Sequence, residues 1–137
     1  MEVKKLLVLT VGLPRSGKTT WARLQGVPIV SPDAIRLALH GHRFEALAEP
    51  FVWAIAKVMV RALFRAGHYT VIVDACNNTR KRRDEWRSDE WALSFMRIET
   101  STEECLRRAD AEHDDYIIPI IKRMSDQFEP IADDEKV

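Results

Sequence analysis

Gly12-Leu13-Pro14-Arg15-Ser16-Gly17-Lys18-Thr19 follows directly on Leu6-Leu7-Val8-Leu9-Thr10-Val11, and this junction decides the fold. The run from Leu6 to Val11 is nearly all apolar and rich in β-branched residues. Without polar alternation, such a run fits a parallel strand covered on both faces. The eight residues after it satisfy GxxxxGK[ST] at every fixed position, and a short helical stretch, Thr19 to Leu24, comes next. This is the strand–loop–helix context in which the motif works. Gly12 and Gly17 let the backbone turn with its N–H groups aimed inward at an anion, and the helix start adds its positive dipole end. Lys18 has the length to reach the β- and γ-phosphates of a nucleotide, and the Thr19 hydroxyl suits Mg²⁺. Gly12, Leu13, Pro14, Arg15, Ser16, Gly17, Lys18, Thr19 and Thr20 are therefore expected to bind ATP, with Thr19 at the metal. The loop by itself does not separate kinases from switches, transporters or motor ATPases, which share it.

Working outward, Tyr69 to Val73 reads as a second buried strand, Phe95 to Ile98 as a third and Pro28 to Val30 as a short one. Helical patterns lie between them. From Glu45 to Ala66 the residues Phe51, Ile55, Val58, Met59, Ala62 and Leu63 recur at helical spacing and are expected to face the core, with Gly67 as the stop. Thr79 to Ser88, Thr102 to Ala111 and Ile117 to Phe128 complete the set. Strands alternating with helices imply a parallel sheet with right-handed crossovers. The expected fold is a three-layer α/β P-loop NTPase fold, with four or five parallel strands and helices on both faces. Residues 1–132 are expected to form one domain, and 133–137 a solvated tail.

Two acidic residues stand at expected strand ends. Ser31-Pro32-Asp33-Ala34-Ile35-Arg36 follows the short strand, with Ser31 as N-cap and Pro32 at the first helical position. Asp33 and Arg36, three apart, share a helix face. Ligands of open parallel sheets bind at the carboxyl ends of the strands, where this pair begins. A carboxylate there can take the proton of an attacking hydroxyl, and an arginine can hold an anionic group of the acceptor. The same spacing also describes a plain surface ion pair. Asp74, directly after Val73, can organise metal-bound water, hold a substrate-binding arginine, or cap its turn. Arg80-Lys81-Arg82-Arg83 opens a helix with cations where the dipole disfavours them, so either a bound anion or solvation offsets the conflict.

The chain has 137 residues and no net charge. A protein that held long nucleic acid mainly by charge would be basic, so any such contact must be local. No run is long and apolar enough to cross a membrane, and no cleavage site follows the N-terminus; a cytoplasmic protein is expected. Cys76 and Cys105 stand apart, without the spacing of a disulfide framework or zinc site. Asn77-Asn78-Thr79 matches a glycosylation triplet without a secretory context. His40 and His42 lack a third metal ligand, and Trp21, Trp53, Trp86 and Trp91 read mostly as packing residues.

Three blocks in order resemble the 5′-hydroxyl kinase domain of phage-type polynucleotide kinase and the small P-loop kinases around it. They are Gly12 to Ala22, Asp33-Ala34-Ile35-Arg36, and Asp74-Ala75-Cys76-Asn77-Asn78-Thr79 followed by Arg82, Arg83 and Trp86. The resemblance implies strand order 2-3-1-4. It also implies Asp33 as general base, Arg36 as the residue that orients the acceptor, and Lys18 and Asp74 as further catalytic residues. A lid helix pair would bring Arg107 or Arg108 to the nucleotide phosphates, Arg108 being the residue assigned, although 109–115 is acidic where the family has cations. The expected activity is ATP- and Mg²⁺-dependent transfer of the γ-phosphoryl group to a hydroxyl acceptor, foremost the 5′-hydroxyl of a polynucleotide or nucleotide, such as a short nucleic-acid end. The alternatives are a small-molecule alcohol as acceptor, such as a nucleoside or antibiotic, and a nucleotide-binding switch without transfer.

Overall fold

The computed structural model describes residues 4–41 and 44–136. Its element order is β1 (Leu6–Val11), α1 (Lys18–Arg23), β2 (Ile29–Val30), α2 (Pro32–His40), α3 (Glu49–Arg65), β3 (Thr70–Val73), α4 (Arg80–Asp84), β4 (Ala92–Arg97), α5 (Thr102–Ala111) and α6 (Ile118–Gln127), closed by a 3₁₀ turn, Asp133–Lys136. The four strands make one sheet in the order β2-β3-β1-β4, every pair parallel. The expected fold and strand order are found, with four strands among the described residues.

Register places the site. Val73 lies opposite Leu9 on one side and Val30 on the other, so β2, β3 and β1 end side by side. The residues that follow, Ser31, Asp74 and Gly12, thus emerge along one edge of the sheet. His42 falls outside the described residues.

Alternation along β1 and β3 divides the core. Leu7, Leu9, Val71 and Val73 pack with Val52, Ala56, Val60 and Phe64 of α3 and with Trp86 and Trp91, all buried. The α3 face expected from sequence needs correction. Phe51, Val58 and Met59 are exposed, while Val52, Ala56, Val60 and Phe64 point inward at i, i+4 spacing. Apolar residues surround this helix, so periodicity alone could not choose its buried side. β4 also begins earlier than Phe95, because Ala92 N–H donates to the Lys5 carbonyl at 2.9 Å and starts the ladder there. The helix expected from Thr79 to Ser88 is confined to Arg80–Asp84.

α5 and α6 form a hairpin with its own small core of Cys105, Ala109 and Ile121, joined by Leu13 of the loop after β1. The hairpin is therefore packed onto that loop rather than into the main core.

The expected solvated tail is not what Asp133–Lys136 forms. Glu135 is buried and accepts from Arg83 Nε at 2.8 Å and Nη2 at 3.2 Å, while Asp134 accepts from Arg80 Nη2 at 2.6 Å. Arg83 itself is fully buried and also donates to the Asn77 and Pro130 carbonyls. The cations at the start of α4 thus have the chain's own C-terminal carboxylates as counter-charges. These offset the unfavourable dipole that the sequence posed as a puzzle.

Candidate active site

The loop after β1 is held in shape by sterics and hydrogen bonds. A Cβ on Gly12 would stand 2.9 Å from Ser16 Oγ and 3.0 Å from the Ile98 carbonyl, so only glycine fits. Gly17 has φ 103°, a left-handed conformation that costs glycine little, and serves as the N-cap of α1. Thr100 Oγ1 donates to the Ser16 carbonyl at 2.7 Å, and Arg108 Nη1 to the Arg15 carbonyl at 3.0 Å. The loop is thus pinned from the β4–α5 connection and from α5 as well as from its own strand.

Arg15, Gly17, Lys18, Thr19, Thr20, Arg108 and Glu112 line a cleft of about 370 Å³. Lys18 is buried and donates to the Leu13 carbonyl at 2.6 Å, closing the loop on itself. Ser16 Oγ is buried without a hydrogen-bond partner. The cleft itself is lined by three cationic side chains, Arg15, Lys18 and Arg108, as a polyphosphate site requires. Thr19 Oγ1 donates to Asp74 Oδ2 at 2.7 Å, joining the first helix to the end of β3.

Arg15 and Arg108 resolve the acidic stretch. The Arg15 backbone is left-handed at φ 67°, and its guanidinium pairs with Asp114 at 2.7 Å and with Glu112. The Asp114 and then the Glu112 carboxylate raise its pKa further. The acids of the segment between α5 and α6 therefore anchor a cation of the loop. Arg108 reaches the loop, whereas Arg107 is two-thirds exposed and, among the described residues, pairs with Glu104 of its own helix alone, at 2.6 Å. The two arginines hold the Glu104 carboxyl at about 2.

On the acceptor side, Ser31 caps α2 by accepting from Ala34 N at 3.1 Å, which sets Asp33 in the first turn. Arg36 Nη1 donates to Asp33 Oδ1 at 2.6 Å. The same guanidinium donates to both oxygens of Glu49, Nε at 2.8 Å and Nη2 at 2.7 Å. Burial opposes its charge, but Glu49 and Asp33 more than offset this, and its pKa is raised. Arg36 is thus tied to Glu49 and Asp33 and not to Asp74, which corrects one role considered for that acid. Glu49 went unnoticed in the sequence; its only signal was an acid at a helix start. Cys76 was also passed over. Burial pushes its thiol pKa up, against the nearby Lys18 ammonium, and it also feels Asp33 and Asp74. Asp33 and Asp74 follow the ends of the neighbouring strands β2 and β3, and Lys18 follows β1 on the same edge of the sheet.

A family model described as AAA domain matches residues 7–131, and the chain belongs to this P-loop family. Comparison with curated proteins gives no match. Among solved structures, a Pnkp1/Rnl/Hen1 complex matches with 25% identity and a TM-score of 0.70, covering 79% of this chain and 40% of the other. A Pnkp1/Rnl/Hen1 RNA repair complex matches at 19% and 0.70, covering 94% and 48%. A gluconokinase from Sinorhizobium meliloti 1021 matches at 20% and 0.58, covering 93% and 76%. This chain spans less than half of the two complex chains that it resembles. The fold and site define a P-loop kinase-like domain.

Arg108→Ala should weaken nucleotide binding and lower turnover by about tenfold or more, since a charge-assisted contact contributes roughly 1.5–3 kcal/mol. Arg107→Ala should leave both near the parental values. Nucleotide titration of the two variants, read by calorimetry, checks this; equal losses would mean that the loop contact of Arg108 is incidental.

Proposed function

We propose that this protein transfers the γ-phosphoryl group of ATP to a hydroxyl acceptor. The observation that carries the reading is the Thr19–Asp74 hydrogen bond at 2.7 Å, which joins the phosphate loop to the end of β3, with Asp33 after the adjacent strand β2. A switch has no use for a carboxylate held by an arginine across from its phosphate loop. In the proposed reaction the acceptor oxygen attacks the γ-phosphorus, the bond to the ADP oxygen breaks, and the hydroxyl proton passes to the Asp33 carboxylate. Lys18 and Arg108 neutralise charge on the migrating group, and Gly12 to Thr20 cradle the phosphates. Thr19 and Asp74 would hold Mg²⁺, which supplies charge neutralisation between the phosphate oxygens.

The ordered blocks, together with the likeness to the polynucleotide kinase Pnkp1, support the 5′-hydroxyl of a polynucleotide or nucleotide as acceptor. A specific observation favours the second reading, a small alcohol: the arginines around the site are paired with carboxylates, Arg36 with Glu49 and Asp33, Arg82 with Glu85, Arg15 with Glu112 and Asp114. Labelled-ATP transfer to 5′-hydroxyl DNA and RNA, nucleosides and small alcohols tests the reaction. Label should appear on at least one acceptor. Slow hydrolysis with no transfer would identify a non-transferring switch. Lys18→Ala should depress transfer by about 10²-fold or more, the scale of removing one charge-stabilising donor, with the fold retained in a far-UV spectrum. Near-parental turnover would place the chemistry elsewhere.

A further inference from the structure

Arg36 is the residue expected to grip an anionic group of the acceptor, yet its geometry leaves little to grip with. A guanidinium has five N–H donors in a planar fork. Here Nε and Nη2 make a bidentate bridge to both oxygens of Glu49, at 2.8 and 2.7 Å, and Nη1 binds Asp33 at 2.6 Å. The side-on edge, the one best matched to a phosphate, is filled from within the chain. Glu49 opens α3, thirteen residues beyond Arg36, and its side chain is only 17% exposed, against 13% for Arg36.

Charge adds to the steric argument. Arg36, Asp33 and Glu49 together carry one positive and two negative charges. Another guanidinium, Arg82, lies over the same Trp53 ring that Arg36 faces, at 3.9 and 5.8 Å. It too has a carboxylate partner, Glu85, at 2.8 Å. A phosphate beside the reacting hydroxyl would meet a site that is net negative around Arg36.

We propose that Glu49 is a specificity-determining residue: by sequestering Arg36 it turns that arginine from an anion clamp into a positioning group for Asp33, and restricts the acceptor to uncharged hydroxyl compounds. The inference rests on the kinase reading above and deepens it. A nucleic-acid 5′ end always carries a phosphate one sugar away from its hydroxyl, so this class is disfavoured, whereas nucleosides and neutral polyols are accepted.

The test compares matched acceptors, adenosine with adenosine 3′-monophosphate and glycerol with glycerol 3-phosphate, in wild type, Glu49→Gln and Glu49→Asp. Wild type should prefer the uncharged member of each pair. Like charges brought together in an interface cost enough that neutralising Glu49 should raise relative use of the phosphorylated member by about tenfold or more. Glu49→Asp, which keeps the charge, should retain the wild-type preference. Preference of wild type for the phosphorylated member would overturn the proposal without any variant. So would an unchanged ratio in Glu49→Gln. If no acceptor is phosphorylated, the kinase reading fails. Calorimetry of adenosine 3′-monophosphate on the ADP-loaded chain then decides separately: binding gained in Glu49→Gln supports the role of Glu49, and no gain rejects it.

Discussion

Asp33→Asn is expected to lower transfer to the hydroxyl by about 10²–10⁴-fold, the usual contribution of a general base, while ATP still binds with nearly parental affinity. Asparagine keeps the size of the side chain and one oxygen to accept from Arg36 Nη1, the 2.6 Å bond of the parent. It cannot take a proton. ATP affinity rests on the loop from Gly12 to Thr20, whose shape comes from Gly12, Thr100 and Arg108 and not from α2. Stability should change little as well. Asp33 is exposed, and an acid in the first turn of a helix is worth only about 0.3–1 kcal/mol. Single-turnover transfer together with nucleotide titration separates the two quantities. Transfer at the parental rate would reduce Asp33 to one half of a helix-surface ion pair. Loss of ATP affinity together with rate would instead show that α2 shapes the nucleotide site.

Glu135→Ala is expected to destabilise the fold by about 3–5 kcal/mol, the cost of leaving a buried charge unpaired. That is a large share of the roughly 5–15 kcal/mol that holds a domain of this kind together. Arg83 and Glu135 are both fully buried, and the arginine also satisfies the Asn77 and Pro130 carbonyls. Removing the acid leaves the guanidinium without its counter-charge beside the Asn77 and Pro130 carbonyls. Urea unfolding should show a lower midpoint with an unchanged slope. Replacing both partners by leucine should recover much of the loss, because a buried pair is worth little against a well-packed apolar substitute. If Glu135→Ala unfolds at the parental midpoint, the C-terminal segment is the solvated tail that composition suggests.

The same pair sets an acid limit. Hydrogen bonds from Arg83 hold the Glu135 carboxyl below the usual carboxylate range, although its burial pulls the other way. A carboxyl depressed in the folded state contributes stability that is fully present above its unfolded pKa, about 4.3, and is lost as pH falls through the folded value. The difference between wild type and Glu135→Ala should therefore be constant at neutral pH and shrink below about pH 4.

The strand–loop–helix junction was legible because its parts are contiguous. Backbone sterics place Gly12 and Gly17, the motif spacing places Lys18 and Thr19, and all of this happens within one short stretch of chain. The Ser31-Pro32 start of α2 was legible for the same reason: capping is a bond between residues three apart, here 3.1 Å. Parallel order followed from alternation of strands and helices. What escaped were choices among equivalents. α3 is apolar on several sides, so the sequence allowed more than one buried face, and only docking on β2 and β3 selected Val52, Ala56, Val60 and Phe64. Arg107 and Arg108 look alike in sequence, but one residue along a helix turns the side chain through about 100°, which sends one to the loop and the other to solvent.

Charge partners belong wholly to the tertiary structure. Arg36 finds Glu49, Arg83 finds Glu135 and Arg15 finds Glu112 and Asp114, at separations of 13, 52, 97 and 99 residues. An ion pair leaves no periodicity in the sequence, because Coulomb attraction depends on distance in space and on burial, neither of which a linear pattern records. The amino-acid order by itself therefore determined a nucleotide-binding loop on a parallel sheet with an acid at each neighbouring strand end. Which cations remain free to meet a substrate was decided only when the chain folded and brought its carboxylates to them.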